Sequence, residues 1–288
     1  MQLNPPSPHP STPPPRWDTA GGPFAALHAL NPARVRFVRH SLCAAMGLDA
    51  GAPEPLAGLR VLDVGCGGGI LAESLARLGA EVHGIDITGE NVQAARVHAG
   101  ADPRVAARVR YDVVSAEDLA AAVRQGSAAP YDAVLASEVL EHVSRPHQLL
   151  AVLAGLLEGE QRRPGAAVVV STLNRTPAAW AVAIAGAEYV ARLVPVGTHQ
   201  WRKFITPEEM ALMADACGLR MLHAAGMAPV GPRLSWRLTT DLSVNYAMTL
   251  TRAQLPSAPA EPPPGPVAAP AGPAAVDPRR ADAPISAS

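Results

Sequence analysis

The segment with the clearest capacity for chemistry is LDVGCGGGILAESLARLGAEVHGID, residues 62–86, where a glycine-rich turn follows a strand-like run. Gly65 and Gly67 carry no side chain, so the backbone there can pass directly beneath a ligand. Asp86, 21 positions after Gly65, ends the next strand-like run, where a carboxylate can accept hydrogen bonds from both hydroxyls of an adenosine ribose. The segment therefore predicts a site for an adenosine-containing cofactor.

The spacing of the glycines separates two classes of cofactor. A dinucleotide site of the G-x-G-x-x-G type, counted from Gly65, requires glycine at position 70, where the sequence has Ile70. The spacing Gly65-x-Gly67-x-Gly69, with Asp63 before it, is similar instead to that of class I methyltransferases, which bind S-adenosylmethionine. An NAD-binding oxidoreductase, and a turn that only packs a helix on a strand, are the alternatives.

Two acids and a histidine in the segment SEVLEHV come where the fourth predicted strand ends, at the edge where open α/β sheets bind ligands. Glu138, Glu141 and His142 stand at i, i+3 and i+4, so in a helical or turn-like segment they share one face and can hold a divalent ion. Oxygen-rich ligation favours Mg²⁺, with Mn²⁺, Zn²⁺ and Fe²⁺ as alternatives because of the imidazole. His142 could equally act as a base or only line the pocket.

Two further observations concern the adenine and the acceptor. Glu117 follows the third predicted strand and is a candidate contact for the cofactor's adenine, or else it belongs to the acid-enriched first turn of a helix. Residues 137–140 read Ser-Glu-Val-Leu and lack the Asn/Asp-Pro-Pro-Tyr/Phe motif that is common in nitrogen-methylating enzymes. We therefore expect the acceptor atom to be an oxygen of a small molecule.

The elements that must position these residues alternate between short β-branched runs and alanine- and leucine-rich helical patterns. This alternation predicts a parallel sheet covered by helices on both faces. Two later strands, at residues 219–225 and 242–251, bring the number of strands to seven. The predicted fold class is α/β, a doubly wound, Rossmann-like mixed sheet of seven strands, with a helical cap within residues 16–50.

Composition limits the partners and the domain boundaries. With a formal net charge of -1, the protein has no overall positive potential to attract a polyanion, so we expect no nucleic-acid partner. The three cysteines are far apart and fit neither a disulfide framework nor a paired zinc site. Proline, alanine, glycine and serine dominate residues 1–15 and 253–288, which predicts disordered ends around one domain at residues 16–252.

An insertion at residues 174–206 is long for a connection in this fold, and we expect it to act as a lid. Thr176 is the predicted N-cap of its apolar helix, which at about 25 Å is too short to cross a bilayer. The aromatic and basic run WRKF that follows suits the headgroup region. Residues 177–204 are therefore predicted to lie on a membrane surface, with ordinary core packing or a dimer contact as the alternatives.

Over residues 17–252 the sequence resembles the O-methyltransferases of ubiquinone biosynthesis, which methylate polyprenylated catechols. The specific part is the insertion NRTPAAWAVAIAGAEYVARLVPVGTHQWRKF, and the resemblance also includes FAALHALNPARVRFVR, the glycine segment, SEVLEHV and VNYAMTLTR. It implies methyl transfer from S-adenosylmethionine to a catechol hydroxyl of a 3,4-dihydroxy-5-polyprenylbenzoate or a 3-demethylubiquinol, often with Mg²⁺. Methylation of another small phenolic is the alternative.

The same resemblance implies roles for individual residues. Arg34 would meet the cofactor's carboxylate, Gly65 and Asp86 would hold its body, and Ser137 would lie near its methionine end. A catalytic role is expected for His142 and Glu138. The positions that match the family's metal ligands are Glu138, Glu141 and His142.

The resemblance also implies a location and a partner. It points to the matrix face of the mitochondrial inner membrane, with peripheral attachment, and to a complex of ubiquinone-biosynthesis proteins. No clear transit peptide is visible, and a proline run stands where family members usually have more residues before LNP. Membrane association in the bacterial cytoplasm is therefore the alternative.

Overall fold

One mixed sheet carries the fold in the computed structural model, which describes residues 25–159, 163–182, 200–230 and 235–252. Its strands are β1 (Arg60–Val64), β2 (Glu81–Asp86), β3 (Val109–Val113), β4 (Ala133–Ser137), β5 (Ala167–Leu173), β6 (Leu219–Val230), β7 (Ser235–Thr239) and β8 (Asn245–Arg252). The predicted disordered ends, residues 1–15 and 253–288, lie outside the described residues, and so do residues 183–199 of the predicted lid.

Helices cover both faces of this sheet. They are α1 (Ala25–Met46), α2 (Ile70–Arg77), α3 (Gly89–Ala99), α4 (Pro103–Ala106), α5 (Ala116–Arg124), α6 (Pro146–Gly155), α7 (Pro177–Ala179) and α8 (Pro207–Ala216). Two short 3-10 turns lie at Leu140–His142 and Trp201–Lys203. The helix α1 confirms the predicted cap ahead of the sheet. No helix in the described ranges combines the length and apolar character that crossing a bilayer demands.

The strand order is β3-β2-β1-β4-β5-β8-β6-β7. The first five strands pair in parallel, while β8 is antiparallel to both of its neighbours, β5 and β6. Chain order reverses between β1 and β4, and ligands of open α/β sheets bind outside the carboxyl ends of the strands at such a point. The topology therefore confirms the predicted fold class and places a crevice at the ends of β1, β2 and β4.

The sheet has eight strands among the described residues, so the predicted number of seven is wrong. The additional strand, β7, pairs with the second half of β6, which continues five residues beyond its predicted end. β7 has the sequence SWRLT and no fully buried residue, so its pattern lacks the apolar run or clear alternation that marks a strand.

Alternating side chains of the strands form two apolar cores, one on each face. Val134 and Ala136 of β4 pack in the core beneath α5, α6 and α8, while Ala133 and Leu135 pack in the core beneath α1, α2 and α3. All seven residues of β5 are buried, as expected for a central strand covered on both sides.

Local capping fixes where the helices beside the crevice begin. Gly69, with φ 86°, is the N-cap residue of α2 and turns the chain from β1 into that helix. The Thr176 hydroxyl accepts a hydrogen bond of 3.0 Å from the Ala179 N–H, which confirms the predicted cap of α7. At α8, Thr206 and Glu209 form a capping box in which each side chain bonds the other residue's N–H.

Candidate active site

The glycine turn lies at the mouth of the crevice, with its backbone exposed to a ligand. Gly65 and Gly67 both have left-handed φ angles, 69° and 53°. A Cβ atom on Gly65 would lie 2.7 Å from Val139 Cγ2, whereas one on Gly67 would meet no atom within 4 Å and would enter open space. Side chains are thus excluded at Gly65 by packing, and at Gly67 the space is left for a ligand.

Asp86 ends β2 directly above this turn. One oxygen of its carboxylate accepts a hydrogen bond of 3.0 Å from the Gly67 N–H, and the other accepts one of 2.8 Å from the Thr88 N–H. The Asn91 side-chain amide donates a third at 3.3 Å. A carboxylate has about four acceptor positions, so one remains for a ligand hydroxyl. The structure therefore brings Gly65, Gly67 and Asp86 together, as the sequence predicted.

A chain of hydrogen bonds crosses the crevice from α1 to the end of β4. Arg34 Nη1 donates to Ser137 Oγ at 2.9 Å, and Ser137 Oγ lies 2.8 Å from Ser171 Oγ. Ser171 Oγ in turn donates to Glu138 Oε1 at 2.9 Å. The parallel register of β4 and β5 pairs Ser137 with Ser171, which is why the two hydroxyls meet. Arg34, Ser137 and Glu138 thus belong to one connected group.

Arg34 is the cation of this group. Its side chain is buried, and burial lowers the pKa of its guanidinium, while the nearby carboxylates of Glu138 and Asp63 act in the opposite direction. Its Nε atom has no hydrogen-bond partner among the described residues. A buried cation with a donor to spare can bind an anionic group of a ligand.

Asp63 of β1 is a buried acid beneath the same turn. Burial raises the pKa of its carboxyl to about 7, with Asp86 adding to the rise and Arg34 opposing it. One of its oxygens, Oδ2, is without a hydrogen-bond partner in the part of the chain that the structure describes. Near neutral pH this carboxyl is therefore poised between its two protonation states.

Glu138 follows β4 in a strained backbone conformation. Its φ angle of 56° is the only left-handed one at a non-glycine residue in the described ranges. The Glu138 N–H donates to the Ser171 carbonyl oxygen at 2.9 Å, which helps to hold the turn. Strain of this kind costs on the order of 1–3 kcal/mol and is concentrated at functional sites.

Glu141 lies next to Glu138 and is buried, being only 4% exposed. Burial, with the nearby Glu138 carboxylate as a second cause, raises its pKa well above the ordinary value. The side chains of Thr172 and Glu138 lie beside the Glu141 carboxyl, but no described group meets its oxygens in good hydrogen-bond geometry. A buried carboxyl next to a second carboxyl needs a proton or a cation between the two, and their oxygen donors suit a hard divalent ion.

His142 ends the 3-10 turn that contains Glu141, and its side chain is exposed. No group of three or more His, Cys, Asp or Glu side chains in the described ranges is arranged to hold a metal ion. The role of Glu138, Glu141 and His142 as metal ligands stays a prediction.

Comparison with known proteins places this geometry in a family. A family model described as a methyltransferase domain matches residues 35–224. The mitochondrial ubiquinone biosynthesis O-methyltransferase of Arabidopsis thaliana is 43% identical over 80% of this chain and 68% of its own. The ubiquinone biosynthesis O-methyltransferase of Xanthomonas axonopodis pv. citri is 46% identical over 80% of this chain and 87% of its own. The chain belongs to the ubiquinone biosynthesis O-methyltransferase family.

Solved structures agree with the fold of this family. Magnesium protoporphyrin IX methyltransferase from Synechocystis with bound S-adenosylhomocysteine has a TM-score of 0.54 and 19% identity, over 80% of this chain and 84% of that one. The CcbJ methyltransferase from Streptomyces caelestis has a TM-score of 0.51 and 20% identity, and the match covers 83% of this chain and 100% of that one. This family member is thus an S-adenosylmethionine-dependent O-methyltransferase with a class I fold.

Glu117 lies on the same edge of the sheet, in the first turn of α5, and its side chain is exposed. The alternative expectation fits as well, because Glu117 and Asp118 are both acids of that first turn. Ser115 Oγ accepts a hydrogen bond from the Asp118 N–H at 3.1 Å and donates to the Asp118 carboxylate at 2.6 Å. Glu117 therefore remains available for a ligand beside β3.

One member of the crevice, Ser171, was missing from the residues predicted for it. It is recognised only through the pairing of β4 with β5, since an STL sequence at the end of an apolar strand carries no motif. Asp63 was part of the predicted pattern, and an acid inside the apolar run RVLDV is costly to bury without a purpose.

Proposed function

We propose that this enzyme methylates a catechol hydroxyl of polyprenylated intermediates in ubiquinone biosynthesis, of the 3,4-dihydroxy-5-polyprenylbenzoate and 3-demethylubiquinol types. The observation that carries the proposal is that enzymes named for ubiquinone biosynthesis are 41–46% identical over about four-fifths of the chain. The crevice supports it, because its polar chain from Arg34 to Glu138 joins a cofactor site to carboxyl groups at the end of β4.

In this proposal the cofactor lies across the carboxyl ends of β1, β2 and β4. Asp86 accepts a hydrogen bond from a ribose hydroxyl, and the glycine turn lies beneath the adenosyl group. Arg34 binds the methionine carboxylate, and Ser137 lies beside that end. Glu117 lies near the adenine. S-adenosylmethionine then has its methyl group directed toward Glu138.

The chemistry requires an oxygen nucleophile in line with the methyl carbon and the sulfur. A phenol with a pKa of about 10 is mostly protonated at neutral pH, so the proton must be removed as the bond forms. We assign this step to His142, the exposed imidazole beside the crevice, and the orientation of the acceptor hydroxyl to Glu138. The sulfonium charge disappears during transfer, and the apolar residues around the turn favour that loss.

The carboxyl groups of Glu138 and Glu141 suit a divalent ion, and the family resemblance would make His142 its third ligand instead of the base. Such an ion, Mg²⁺ by preference for oxygen ligands, would lower the pKa of a chelated catechol hydroxyl. Within the protein, Glu141 would exchange its proton for the cation. The backbone strain at Glu138 would help to keep that carboxylate aimed into the crevice.

A membrane surface and a protein complex complete the proposal. Residues 177–204 would contact the bilayer. In the described part of that segment, the apolar side chains of Trp180 and Val182 are each 49% exposed. The relatives include a mitochondrial plant enzyme and bacterial enzymes. We propose peripheral attachment on the matrix face of the inner membrane, with the bacterial cytoplasmic membrane as the alternative.

Methyl transfer onto a short-chain prenyl dihydroxybenzoate, with and without a chelator, tests the function. Wild-type enzyme should transfer labelled methyl groups, and Glu138→Gln with Glu141→Gln should lose at least about 100-fold in rate while binding the cofactor with near-normal affinity by calorimetry. A loss of cofactor affinity in that variant, or rates that do not respond to chelator, would contradict the metal assignment. Retention of NADH rather than S-adenosylmethionine would contradict the function as a whole.

Deleting residues 178–194 tests membrane contact. The shortened enzyme should still bind S-adenosylhomocysteine but should no longer float with liposomes. Unchanged flotation would show that another surface holds the membrane.

A further inference from the structure

A second cavity, distinct from the cofactor crevice, lies on the side of α6 and α8. Its volume is about 500 Å³, roughly three times that of a cavity that holds a benzene ring. Leu140, Val143, Phe204 and Met213 contribute apolar walls. A space of this size and lining can take an aromatic ring together with several carbons of an attached chain.

The rim of this cavity carries unbalanced positive charge. Arg175 and Glu209 both line it and form an ion pair with one another, so their charges offset. Arg202 and Lys203 line it as well, are exposed, and have no hydrogen-bond or ion-pair partner among the described side chains. Two uncompensated cations beside an apolar hollow match a ligand that is apolar in its body and anionic at one end.

Two residues of the cavity lining belong to segments that also carry residues of the proposed methyl-transfer centre. Leu140 belongs to the same turn as Glu141, and Arg175 follows β5, the strand that carries Ser171. Asp86 lies at the end of β2, on the far side of β1. The cavity thus lies on the β4 and β5 side of the sheet, away from Asp86, so a molecule bound there would not compete with the adenosine of the cofactor.

We propose that this cavity is the acceptor site for substrates that bear a carboxylate, a proposal that rests on the function proposed above. The apolar walls hold the ring and the first isoprene units, and Arg202 and Lys203 bind the carboxylate. The two cations thus favour a prenylated dihydroxybenzoate over an acceptor of the same shape without a charge.

The test compares a short-chain prenyl dihydroxybenzoate with its methyl ester, which keeps the ring and chain but removes the charge. With both acceptors in a neutral detergent, Arg202→Gln with Lys203→Gln should raise KM for the acid by about 10- to 100-fold relative to KM for the ester. The matched control is Arg124→Gln, an exposed arginine on α5, which should leave the ratio of the two KM values unchanged.

A second readout needs no turnover, because Lys203 is the only lysine in the sequence. Reductive methylation of Lys203, followed by peptide mapping, should be slowed by the acid and not by the ester. If wild-type enzyme methylates neither acceptor while the acid still protects Lys203, the cavity assignment stands and the proposed function fails.

Three results would overturn the proposal. One is a KM ratio in the double variant equal to that of wild type, and another is equal protection of Lys203 by acid and ester. The third is a double variant that loses only its flotation with anionic vesicles, since the two cations would then serve a lipid surface.

Discussion

At the scale of single residues, the crevice depends on groups that are costly to bury. Asp63 has a folded-state pKa of about 7, above its ordinary value of 3.8, chiefly because water is excluded from it. The folded protein therefore holds this proton over a pH range in which the unfolded chain has released it. Stability from this group is fully present below about pH 4 and is lost as pH rises to about 7.

Asp63→Asn should remove this dependence. The shift corresponds to a cost on the order of 4 kcal/mol in wild type above pH 7. Urea unfolding at pH 5 and pH 8 should show wild type losing stability relative to the variant as pH rises. The control Glu90→Gln removes an exposed carboxylate and should run parallel to wild type. Parallel curves for Asp63→Asn would contradict the assignment.

Two glycines with similar φ angles should respond differently to alanine. Gly65→Ala combines left-handed strain with a contact to Val139, so we expect a loss of about 2–4 kcal/mol in unfolding free energy. Gly67→Ala should cost only the backbone strain, about 1 kcal/mol of unfolding free energy, but its added methyl group would occupy the space left for the ligand. Denaturant unfolding should show the larger stability loss for Gly65→Ala, and calorimetry should show cofactor affinity falling in Gly67→Ala. Equal stability losses would contradict this reading.

Site residues that depend on the backbone of one segment could be predicted from the sequence. Site residues that are brought together by strand pairing were identified only in the structure. The turn at Gly65 and the acid at Asp86 could be predicted because glycine spacing and strand ends are properties of one segment. Ser171 could not, since its neighbour Ser137 is 34 positions away and is brought close only by strand register. The short 3-10 turn at Leu140–His142 could not be distinguished from an α-helical turn in the sequence, and the metal role of Glu138, Glu141 and His142 stays a prediction.

At the scale of elements, N-cap residues fix where the helices beside the crevice and the second cavity begin. α8 contributes Met213 to the second cavity, and its first turn is held by the Thr206 and Glu209 capping box. α3, beside the ribose site, has Thr88 as its N-cap residue but no side-chain hydrogen bond there. Both threonines thus occupy the N-cap position of a helix, but only the Thr206 side chain makes a capping hydrogen bond.

Thr206→Ala should therefore cost about 1–2 kcal/mol of stability, whereas Thr88→Ala should cost near zero. Thermal or denaturant unfolding of the two variants checks the difference. Equal costs would mean that the capping box adds nothing at α8.

Element prediction succeeded where strands are long and apolar and failed at the edge of the sheet. β1, β2, β4 and β5 are almost entirely buried, and their apolar runs stand out in the sequence. β7 is a short edge strand that pairs only with β6, so its side chains need no apolar pattern. The packing of α1 against β6, β7 and β8 likewise could not be predicted, because no sequence pattern near α1 indicates it.

At the scale of the whole molecule, the proposed cofactor would join parts of the chain that are distant in sequence. α1 supplies Arg34, β1 leads into the turn, β2 supplies Asp86 and β4 supplies Ser137. A ligand that touches all four elements binds only when they are assembled, so its binding energy adds to folding stability.

S-adenosylhomocysteine at 100 times its Kd should stabilise the protein by about 2.7 kcal/mol. Differential scanning fluorimetry should show a rise in Tm that depends on ligand concentration. Asp86→Asn should shift the rise to higher concentrations, and NADH should produce none. A comparable rise with NADH would favour a dinucleotide site.

β8 lies between β5 and β6, yet it is the last described strand in chain order. Translation therefore delivers the parallel strands and the β6–β7 hairpin before the strand that connects them. Until β8 arrives, β5, which is fully buried in the folded protein, presents an open edge, and such an edge can pair with other nascent chains. Fragments that stop before residue 245 should consequently aggregate, and synthesis of the intact protein should benefit from chaperones that shield this edge.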